Sequence, residues 1–477
     1  MYNTQVISVN RIFIIFFIII TGCNRNSLST LPENGVTDRF DASSFFPIPK
    51  SPQRKGDPNI GKKYLLEGDY LDSGIPLALM ESMGMAPKMD DVLGRSGKNA
   101  TMPPVFTATT SANGVEIIAP NCLICHGAFL DDKYIIGLGN YDFDGTMSTD
   151  FALKSMGFMV EKKYSKNSKE WESFEQFYKS TLALSGNTKT ESVGANSADK
   201  ITEVLLAHRK MPNMEWSDEP LLSINEFTAP ADPPAWWLLK KKNAQFTTGI
   251  GRGDFARIST ASSLLTMNDI DKVKEIDSKF TDIVAFIKSL DAPEYPDQID
   301  QKLASKGGLI FNNTCSKCHG TYGSQETYPN FIVHHDIIKT DPSLAESYHE
   351  RKVFVDLYND SWFGEGDHAA HIVPSFGYVA PPLDGVWATG PYLHNGSVPT
   401  IEGVLNSKQR PTYWKRSHSP KDYNYTSLGW KYEKQNEKID KYTYDTTLKG
   451  YGNQGHYFGD NLSENERFAV IEYLKTL

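Results

Sequence analysis

Two short segments combine the residue types that can hold a metal-bearing macrocycle covalently. Each reads Cys-x-x-Cys-His, at 122–126 (CLICH) and at 315–319 (CSKCH). The two thiols of such a segment can form thioethers with the two vinyl groups of one haem, and the adjoining imidazole can then ligate the iron. A four-cysteine zinc site or a thioredoxin-like thiol pair does not need a histidine directly after the second cysteine. The sequence therefore predicts two covalently bound haem c groups, attached through Cys122, Cys125, His126, Cys315, Cys318 and His319.

The remaining cysteine of the five, Cys23, ends a pattern typical of an export signal. Arg11 precedes an apolar run over 12–20, which is too short to cross a bilayer and is followed by small residues. The stretch 20–23 (ITGC) resembles a bacterial lipobox, which implies removal of the signal peptide 1–22 and lipidation of Cys23. The alternative is an ordinary signal peptide with an incidental cysteine. We expect an exported bacterial lipoprotein, facing the periplasm or on the outer-membrane surface, that contacts the membrane through its lipid only.

The charge balance bears on the class of partner. The chain has a formal net charge of -9 and a pI near 5.7, whereas nucleic-acid binding needs Lys and Arg in clustered excess. We therefore expect no nucleic-acid partner, and we expect the one basic run, Lys240 to Lys242, to face solvent. An acidic surface is compatible with a small redox protein that donates electrons through a basic surface.

The chain divides into segments of different composition. Residues 23–60 are rich in Ser, Pro, Asn and Asp without periodicity, which predicts a tether. The two haem motifs lie one in each of the segments 61–295 and 296–477, so we expect two tandem cytochrome c-like haem domains. Strand signals are sparse, and the sequence predicts a mainly α fold with long loops, which a haem can support by offering a flat surface for packing.

An internal repeat predicts the last helix of each domain. The segments 283–290 and 470–477 both place apolar residues at helical spacing, and each follows a haem motif. Ser463, with Glu466 three residues later, has the spacing of a capping box and marks the start of the second helix. We expect both segments to form amphipathic helices that close their domains.

Residues outside the haem motifs carry a resemblance to a known family. The matching stretches are 68–70 (GDY) with 73–76 (SGIP), 328–330 (YPN) with 340–342 (TDP), 381–387 (PPLDGVW), 391–397 (PYLHNGS) and 452–456 (GNQGH). In these stretches the chain resembles the bacterial di-haem peroxidase superfamily, which includes the methylamine-utilisation di-haem enzyme, and most closely the rubber-oxygenase-like di-haem proteins. The resemblance implies a reactive N-terminal haem and a six-coordinate C-terminal haem. Because the rubber oxygenases are longer than this chain, the substrate is the least transferable property.

The histidines bear on the N-terminal iron. His208 is the one further histidine between the two motifs. The resembling peroxidases place a switchable distal histidine shortly after their first motif, and residues 127–206 contain none. We therefore expect an N-terminal iron with an open position for oxygen or peroxide, and we expect His208 to be structural or on the surface. Met147, Met156 and Met159 are expected to fill the core rather than to ligate.

An aromatic-rich segment follows the first motif at 233–246. The resembling rubber oxygenases place a phenylalanine over the oxygen-binding haem and a tryptophan near the path between the haems. The positions that resemble them here are Phe246 and one of Trp236 and Trp237. The alternative is that all three are core aromatics. An aromatic pocket would favour oxygen or an apolar substrate over charged ligands.

The sixth ligand of the C-terminal iron is open. The resembling peroxidases use a methionine where this chain has Leu393, which cannot ligate. His456, in a glycine-rich loop before the closing helix, is favoured, with His394 second and Tyr392 a further option, since the methylamine-utilisation relative uses a tyrosinate there. Another histidine group is expected to lie on the surface or to support neighbouring groups, with a separate metal site as the alternative; it comprises His334, His335, His368 and His371.

These features predict a di-haem oxidoreductase. We expect the N-terminal haem to bind peroxide or oxygen and the C-terminal haem to relay an electron, with an organic substrate and a redox-protein electron donor as possible partners. Peroxide reduction and oxygenation of an organic substrate both stay open. The alternative from a different class is an electron-transfer cytochrome without a substrate of its own.

Overall fold

The computed structural model describes residues 44–477. The expected signal peptide 1–22, the lipidated Cys23 and the first part of the expected tether, 23–43, lie outside the described residues. Within 44–477, no helix is both long enough and apolar enough to cross a membrane.

Polar caps begin the helices that surround the haem motifs. Asp57, Asp269 and Asp300 each accept backbone N–H bonds at a helix start, which satisfies donors that have no partner inside a helix. Ser463 and Glu466 form the capping box expected from their spacing. A helix covers the first predicted closing segment up to Ser289 and the second up to Leu474. The α-helices are α1 Pro58–Glu67, α2 Leu77–Ser82, α3 Leu123–His126, α4 Asp150–Tyr164, α5 Lys169–Asn187, α6 Ala198–Ala207, α7 Phe255–Thr260, α8 Ile270–Ser289, α9 Gln301–Thr314, α10 Ser316–His319, α11 His335–Ile338, α12 Ser343–Glu350, α13 Lys352–Asn359, α14 Ile401–Leu405 and α15 Glu464–Leu474.

Short antiparallel strands lie between the helices. They are β1 Phe45–Pro47, β2 Ile75–Pro76, β3 Phe106–Thr110, β4 Glu116–Pro120, β5 Gly127–Leu130, β6 Lys133–Ile136, β7 Arg209–Lys210, β8 Glu215–Trp216, β9 Gly251–Gly253, β10 Phe331–His334, β11 Ala370–Ile372, β12 Gly377–Val379, β13 Tyr413–Arg416, β14 Tyr423–Asn424, β15 Gly429–Trp430, β16 Tyr432–Gln435 and β17 Thr443–Asp445. Three sheets have three strands each, in the orders β2-β4-β3, β1-β10-β12 and β16-β13-β17. The other strands form the pairs β5-β6, β7-β8, β9-β11 and β14-β15.

The strand content makes the expected mainly α fold wrong. Helices account for 40% of the described structure and strands for 15%, so the fold is mixed and contains several small sheets. Each strand has only two to five residues, which is too short for a period-two pattern to stand out in the sequence. The strands form because backbone N–H and C=O groups in long connections beside a core need partners.

Each haem motif lies near a pair of crossed helices. Helix α1 packs on α8, and α9 packs on α15. A glycine lies at both crossings, because a Cβ on Gly61 would collide with the backbone carbonyl of Asp282, and a Cβ on Gly307 would collide with that of Ala469. The internal repeat of the sequence therefore corresponds to two similar helix crossings.

Two hydrophobic cores each draw side chains from both sides of residue 295. Phe280 of α8 shares the first core with Tyr378 of β12. Trp237 shares the second core with Val470 of α15. The segments before and after residue 295 are therefore packed into one another, and the haem-domain boundary at that residue stays a prediction from the sequence.

The described part of the expected tether, residues 44–60, packs against the rest of the chain. Strand β1 pairs with β10. The guanidinium of Arg54 binds the carboxylates of Asp254, at 2.7 Å, and Asp277, at 2.5 Å. Burial raises the pKa of Asp254, but the hydrogen bonds and charge of Arg54, together with the backbone N–H of Arg257, leave that pKa lowered. These contacts attach the segment to α7 and α8.

Candidate functional site

The first haem motif is a single helical turn held by buried polar groups. Asn121 accepts a hydrogen bond from the backbone N–H of Leu123 at 2.8 Å, and its amide nitrogen donates to the Pro104 carbonyl at 2.8 Å. The Cys122 sulfur lies 3.3 Å from the hydroxyl of Tyr70. Burial raises the pKa of Cys125 to about 11. No disulfide joins the four cysteines among the described residues, so none of them is committed to a bond that would compete with a thioether.

His126 has an imidazole prepared for a metal. Its Nδ1 atom is buried without a hydrogen-bond partner in the described structure, and burial lowers the pKa of the ring to about 4. The ring stacks on Trp236, with centroids 4.9 Å apart and an interplanar angle of 23°. A neutral imidazole with an unused lone pair is the form that ligates iron.

A cavity opens beside this histidine. Its volume is about 900 Å³, including the part open to solvent, and its walls include Cys125, His126, Trp236 and Phe246. The thiol and the imidazole of one motif thus border the same space, so the residues present fit a covalently attached haem.

Of the three aromatic residues singled out in the sequence, two line this cavity. Phe246 has a φ of 67°, a strained value for a residue with a Cβ, and its ring packs closely on Gly251. Trp237 instead is buried in the second core, where its Nε1 donates to the Asp384 carbonyl at 2.8 Å. Phe246 and Trp236 therefore border the cavity beside His126, whereas Trp237 does not line it.

The structure adds two ionisable groups to the cavity wall. Lys242 is 9% exposed, and burial lowers its pKa to about 8, so the expectation that the whole run from Lys240 faces solvent is wrong at this position. Asp232 also lines the cavity, and burial raises its pKa well above the usual value. The sequence of a run of lysines does not show which side chain is buried, because burial depends on the tertiary packing of the segment.

The second motif follows α9 directly. The Nδ1 atom of His319 lies 2.8 Å from the carbonyl oxygen of Pro381. A carbonyl oxygen can only accept, so Nδ1 carries the proton and Nε2 keeps its lone pair for a metal. This orientation leaves Nε2 of His319 available to an iron.

A second imidazole lies opposite His319. The ring centroids of His319 and His456 are 6.2 Å apart. Two metal–nitrogen bonds of about 2.0 Å, with about 1.1 Å from each centroid to its nitrogen, place two imidazoles on opposite sides of one metal about 6 Å apart. His456 has a backbone φ of 49°, and its backbone N–H donates to the Ile338 carbonyl at 2.6 Å. The residues present therefore fit a haem between two imidazoles.

The other two candidates for this ligand have different neighbours. His394 is stacked on Tyr378, with centroids 3.8 Å apart, and its Nε2 is buried without a hydrogen-bond partner in the described structure. Burial lowers the pKa of His394 to about 4. The hydroxyl of Tyr392 donates to the Val386 carbonyl at 3.0 Å. Neither residue has the ring contact with His319 that His456 makes.

The remaining residues singled out beside the first motif have structural surroundings. His208 is buried, stacks on Trp216 with centroids 4.7 Å apart, and has its Nδ1 atom 2.8 Å from the Ser217 carbonyl. Met156 is buried in a small core with Met159 packed against it, while Met147 is exposed. A structural role for His208, as expected from the sequence, agrees with these contacts.

A short bonded connection joins the two motifs. His126 stacks on Trp236, and the next residue, Trp237, donates to the Asp384 carbonyl. Three residues earlier in the chain, the Pro381 carbonyl contacts His319. The connection consists of one ring contact, two hydrogen bonds and two short pieces of backbone.

Comparisons with known proteins agree with part of this description. The model of the family described as "RoxA-like, cytochrome c-like" matches residues 377–415, the stretch that contains Pro381 and His394. The chain is 30% identical over 240 residues to the uncharacterized protein y4iJ of Sinorhizobium fredii (strain NBRC 101917 / NGR234), covering 38% of this chain and 39% of that protein. It is 28% identical over 217 residues to the uncharacterized protein y4iM of the same organism, covering 40% of this chain and 48% of that protein. The chain thus spans less than half the length of these relatives, and the matched segment supports haem c and a haem oxidoreductase in general.

Proposed function

We propose that this chain is an exported, lipid-anchored c-type cytochrome with two covalently bound haems. In this proposal it is an oxidoreductase that activates peroxide or oxygen at the N-terminal haem and relays electrons through the C-terminal haem. The observation that carries the proposal is an asymmetry: His319 lies beside a second imidazole, whereas His126 is the only histidine among the described residues that line the cavity next to it. When bound, haem supplies an iron that binds oxygen or peroxide at an open position and exchanges electrons.

At the N-terminal site the protein holds and shields the reaction space. Cys122 and Cys125 provide the covalent attachment, and His126 provides one ligand. Phe246 and Trp236 give the cavity an aromatic wall, which favours small neutral oxidants and apolar organic substrates over charged ones. An organic substrate of this kind is part of the proposal.

At the C-terminal site two side chains of the protein would hold the iron. In this proposal they are His319 and His456, with His394 as the second choice for the second ligand. Two strong protein ligands favour electron transfer over oxygen binding. The connection through Trp237 and Asp384 gives a route for electrons between the two sites.

The compartment and the donor complete the proposal. Haem c is attached outside the cytoplasm, so the two motifs favour export, and Cys23 would hold the mature chain to a membrane facing the periplasm or at the outer-membrane surface. The formal charge of -9 suits a donor protein with a basic surface. Cys23→Ser should move the protein from the membrane to the soluble fraction with its haem content unchanged. A wild-type chain that is already soluble after export would contradict the anchor.

The resting spin states test the enzymatic part. Low-temperature electron paramagnetic resonance of the ferric wild-type chain should show one high-spin and one low-spin haem, since the two sites differ in their ligands. Two low-spin signals would contradict an open N-terminal site and would favour the electron-transfer cytochrome without its own substrate.

A further inference from the structure

Two histidines and an aspartate meet where β10 turns into α11. His334 is the last residue of the strand, His335 begins the helix, and Asp336 follows. One potential ligand atom from each of the three lies within 4.8 Å of the others. These residues are not part of either haem motif.

The distances within the group fit a small metal ion. The Nδ1 atom of His334 is 3.3 Å from a carboxylate oxygen of Asp336, and the Nε2 atom of His335 is 3.6 Å from the other oxygen. In a tetrahedral site with bonds of about 2.0 Å, neighbouring ligand atoms lie about 3.3 Å apart. The Nδ1 atom of His334 also accepts a 3.2 Å hydrogen bond from the Asp336 N–H, which is a long bond that a metal would replace.

A carboxylate outside the group lies near His335. The Nδ1 atom of His335 is buried without a hydrogen bond in the described structure, and it lies 3.9 Å from a carboxylate oxygen of Glu346 on α12. Metal-binding histidines commonly direct their second ring nitrogen at a carboxylate, which fixes the tautomer and increases the basicity of the ligating nitrogen. Glu346 is placed for this positioning role.

The surroundings combine support with access. The ring of Phe376 lies beside the two imidazoles, at centroid distances of 6.4 Å from His334 and 6.0 Å from His335. The backbone N–H of His335 donates to the Phe376 carbonyl at 3.0 Å. The side chain of Asp336 is 79% exposed, which leaves an entry route and room for water ligands. One side of the group is thus fixed by packing, and the other is open to solvent.

We propose that His334, His335 and Asp336 bind a divalent transition-metal ion of the zinc class. Two imidazoles and one carboxylate suit zinc and its neighbours, whereas calcium and magnesium need mostly oxygen ligands. Glu346 acts as the positioning residue, and water completes the coordination. This site is independent of the proposed haem function.

Zinc binding to the untagged, haem-loaded full chain tests the site. Equilibrium dialysis followed by elemental analysis should give one Zn²⁺ per wild-type chain, and His334→Ala with His335→Ala should remove it. Asp336→Asn, which changes an exposed side chain, should weaken binding at least tenfold. Unchanged haem content and circular dichroism would show that the variants fold.

A matched control and a second metal make the result specific. His368→Ala removes an exposed histidine outside the group and should leave one Zn²⁺ per chain, and excess Ca²⁺ should not displace it. The proposal is overturned if the wild type binds no Zn²⁺, if the double variant keeps it, or if Ca²⁺ displaces it. Anomalous scattering at the zinc edge from a soaked crystal should place the ion between His334 and His335.

Discussion

The two haem motifs have the same pattern of five residues but different surroundings. The Nδ1 atom of His319 has the Pro381 carbonyl as a partner, and a second imidazole lies opposite the ring. The Nδ1 atom of His126 has no partner in the described structure, and its ring lies beside Trp236 and an open cavity. The motif therefore specifies the residues that would attach a haem, while distant segments specify which other side chains surround its imidazole.

The loop ahead of each closing helix accounts for much of this difference. His456 lies before α15 in a loop that Arg410 clamps, because that guanidinium donates to the carbonyls of Asn453 at 2.6 Å and Gly455 at 2.7 Å. The corresponding segment before α8, residues 261–269, contains no histidine. Two similar helix crossings thus differ in whether a histidine lies in the segment before the closing helix.

The largest expected effect is the loss of one haem. Cys315→Ala with Cys318→Ala should leave one covalent haem per chain instead of two, because only the N-terminal attachment remains. The haem-to-protein ratio of denatured protein, from a host that matures c-type cytochromes, measures this. Cys122→Ala with Cys125→Ala is the matched variant and should also leave one. A mass that shows bound zinc and no haem would refute both attachments.

The next effect should convert one spin state. His456→Ala should turn the C-terminal haem from low-spin to high-spin, since it removes the imidazole opposite His319, and should leave the N-terminal signal in place. Electron paramagnetic resonance of the ferric protein distinguishes the two states. His394→Ala is the control and should change the low-spin signal less completely. If His456→Ala keeps the low-spin signal, the sixth ligand is His394 or Tyr392 instead.

A smaller effect should be confined to the open site. Phe246→Ala should strengthen binding of added imidazole at the N-terminal haem by about tenfold, or about 1.4 kcal/mol, because it removes an aromatic ring from the cavity wall. Optical titration of the ferric protein measures the affinity. The low-spin signal of the other haem should stay unchanged. An affinity equal to that of the wild type would show that Phe246 does not border the ligand position.

The smallest expected effect concerns the link between the sites. Trp237→Phe keeps an aromatic ring but removes the hydrogen bond to Asp384, so transfer between the haems should slow by less than about tenfold and stability should fall by about 1 kcal/mol. Trp387→Phe is a matched control, because Trp387 donates to the Pro293 carbonyl at 2.8 Å in the same core. Rapid-reduction kinetics should show slowing in Trp237→Phe alone. Equal rates in the two variants would exclude this route.

The sequence was informative where local patterns decide the structure. The capping box at Ser463 and both closing helices follow from spacing, because a helix depends on contacts three and four residues apart. The strands were missed because they are short. The hairpin of β3 and β4 carried a weak signal, because Asn113 and Gly114, a dipeptide typical of turns, lie in its five-residue connection.

The candidate site was harder to predict from the sequence, because its residues lie far apart along the chain and meet only in the folded structure. The contact between His319 and His456 joins positions far apart in the chain, as does the bond from Trp237 to Asp384. The composition of the segment does not distinguish the buried Lys242 from its exposed neighbour Lys240. These features depend on tertiary packing, which a local pattern does not encode.

The two shared cores have a consequence for the biogenesis of the protein. A nascent chain that has emerged only as far as residue 295 lacks Tyr378 and Val470, so it cannot complete either core. Its apolar surfaces stay hydrated until the later segments arrive, because burial of such surfaces drives folding. We therefore expect the core that contains Val470 to close last, once the final helix has emerged.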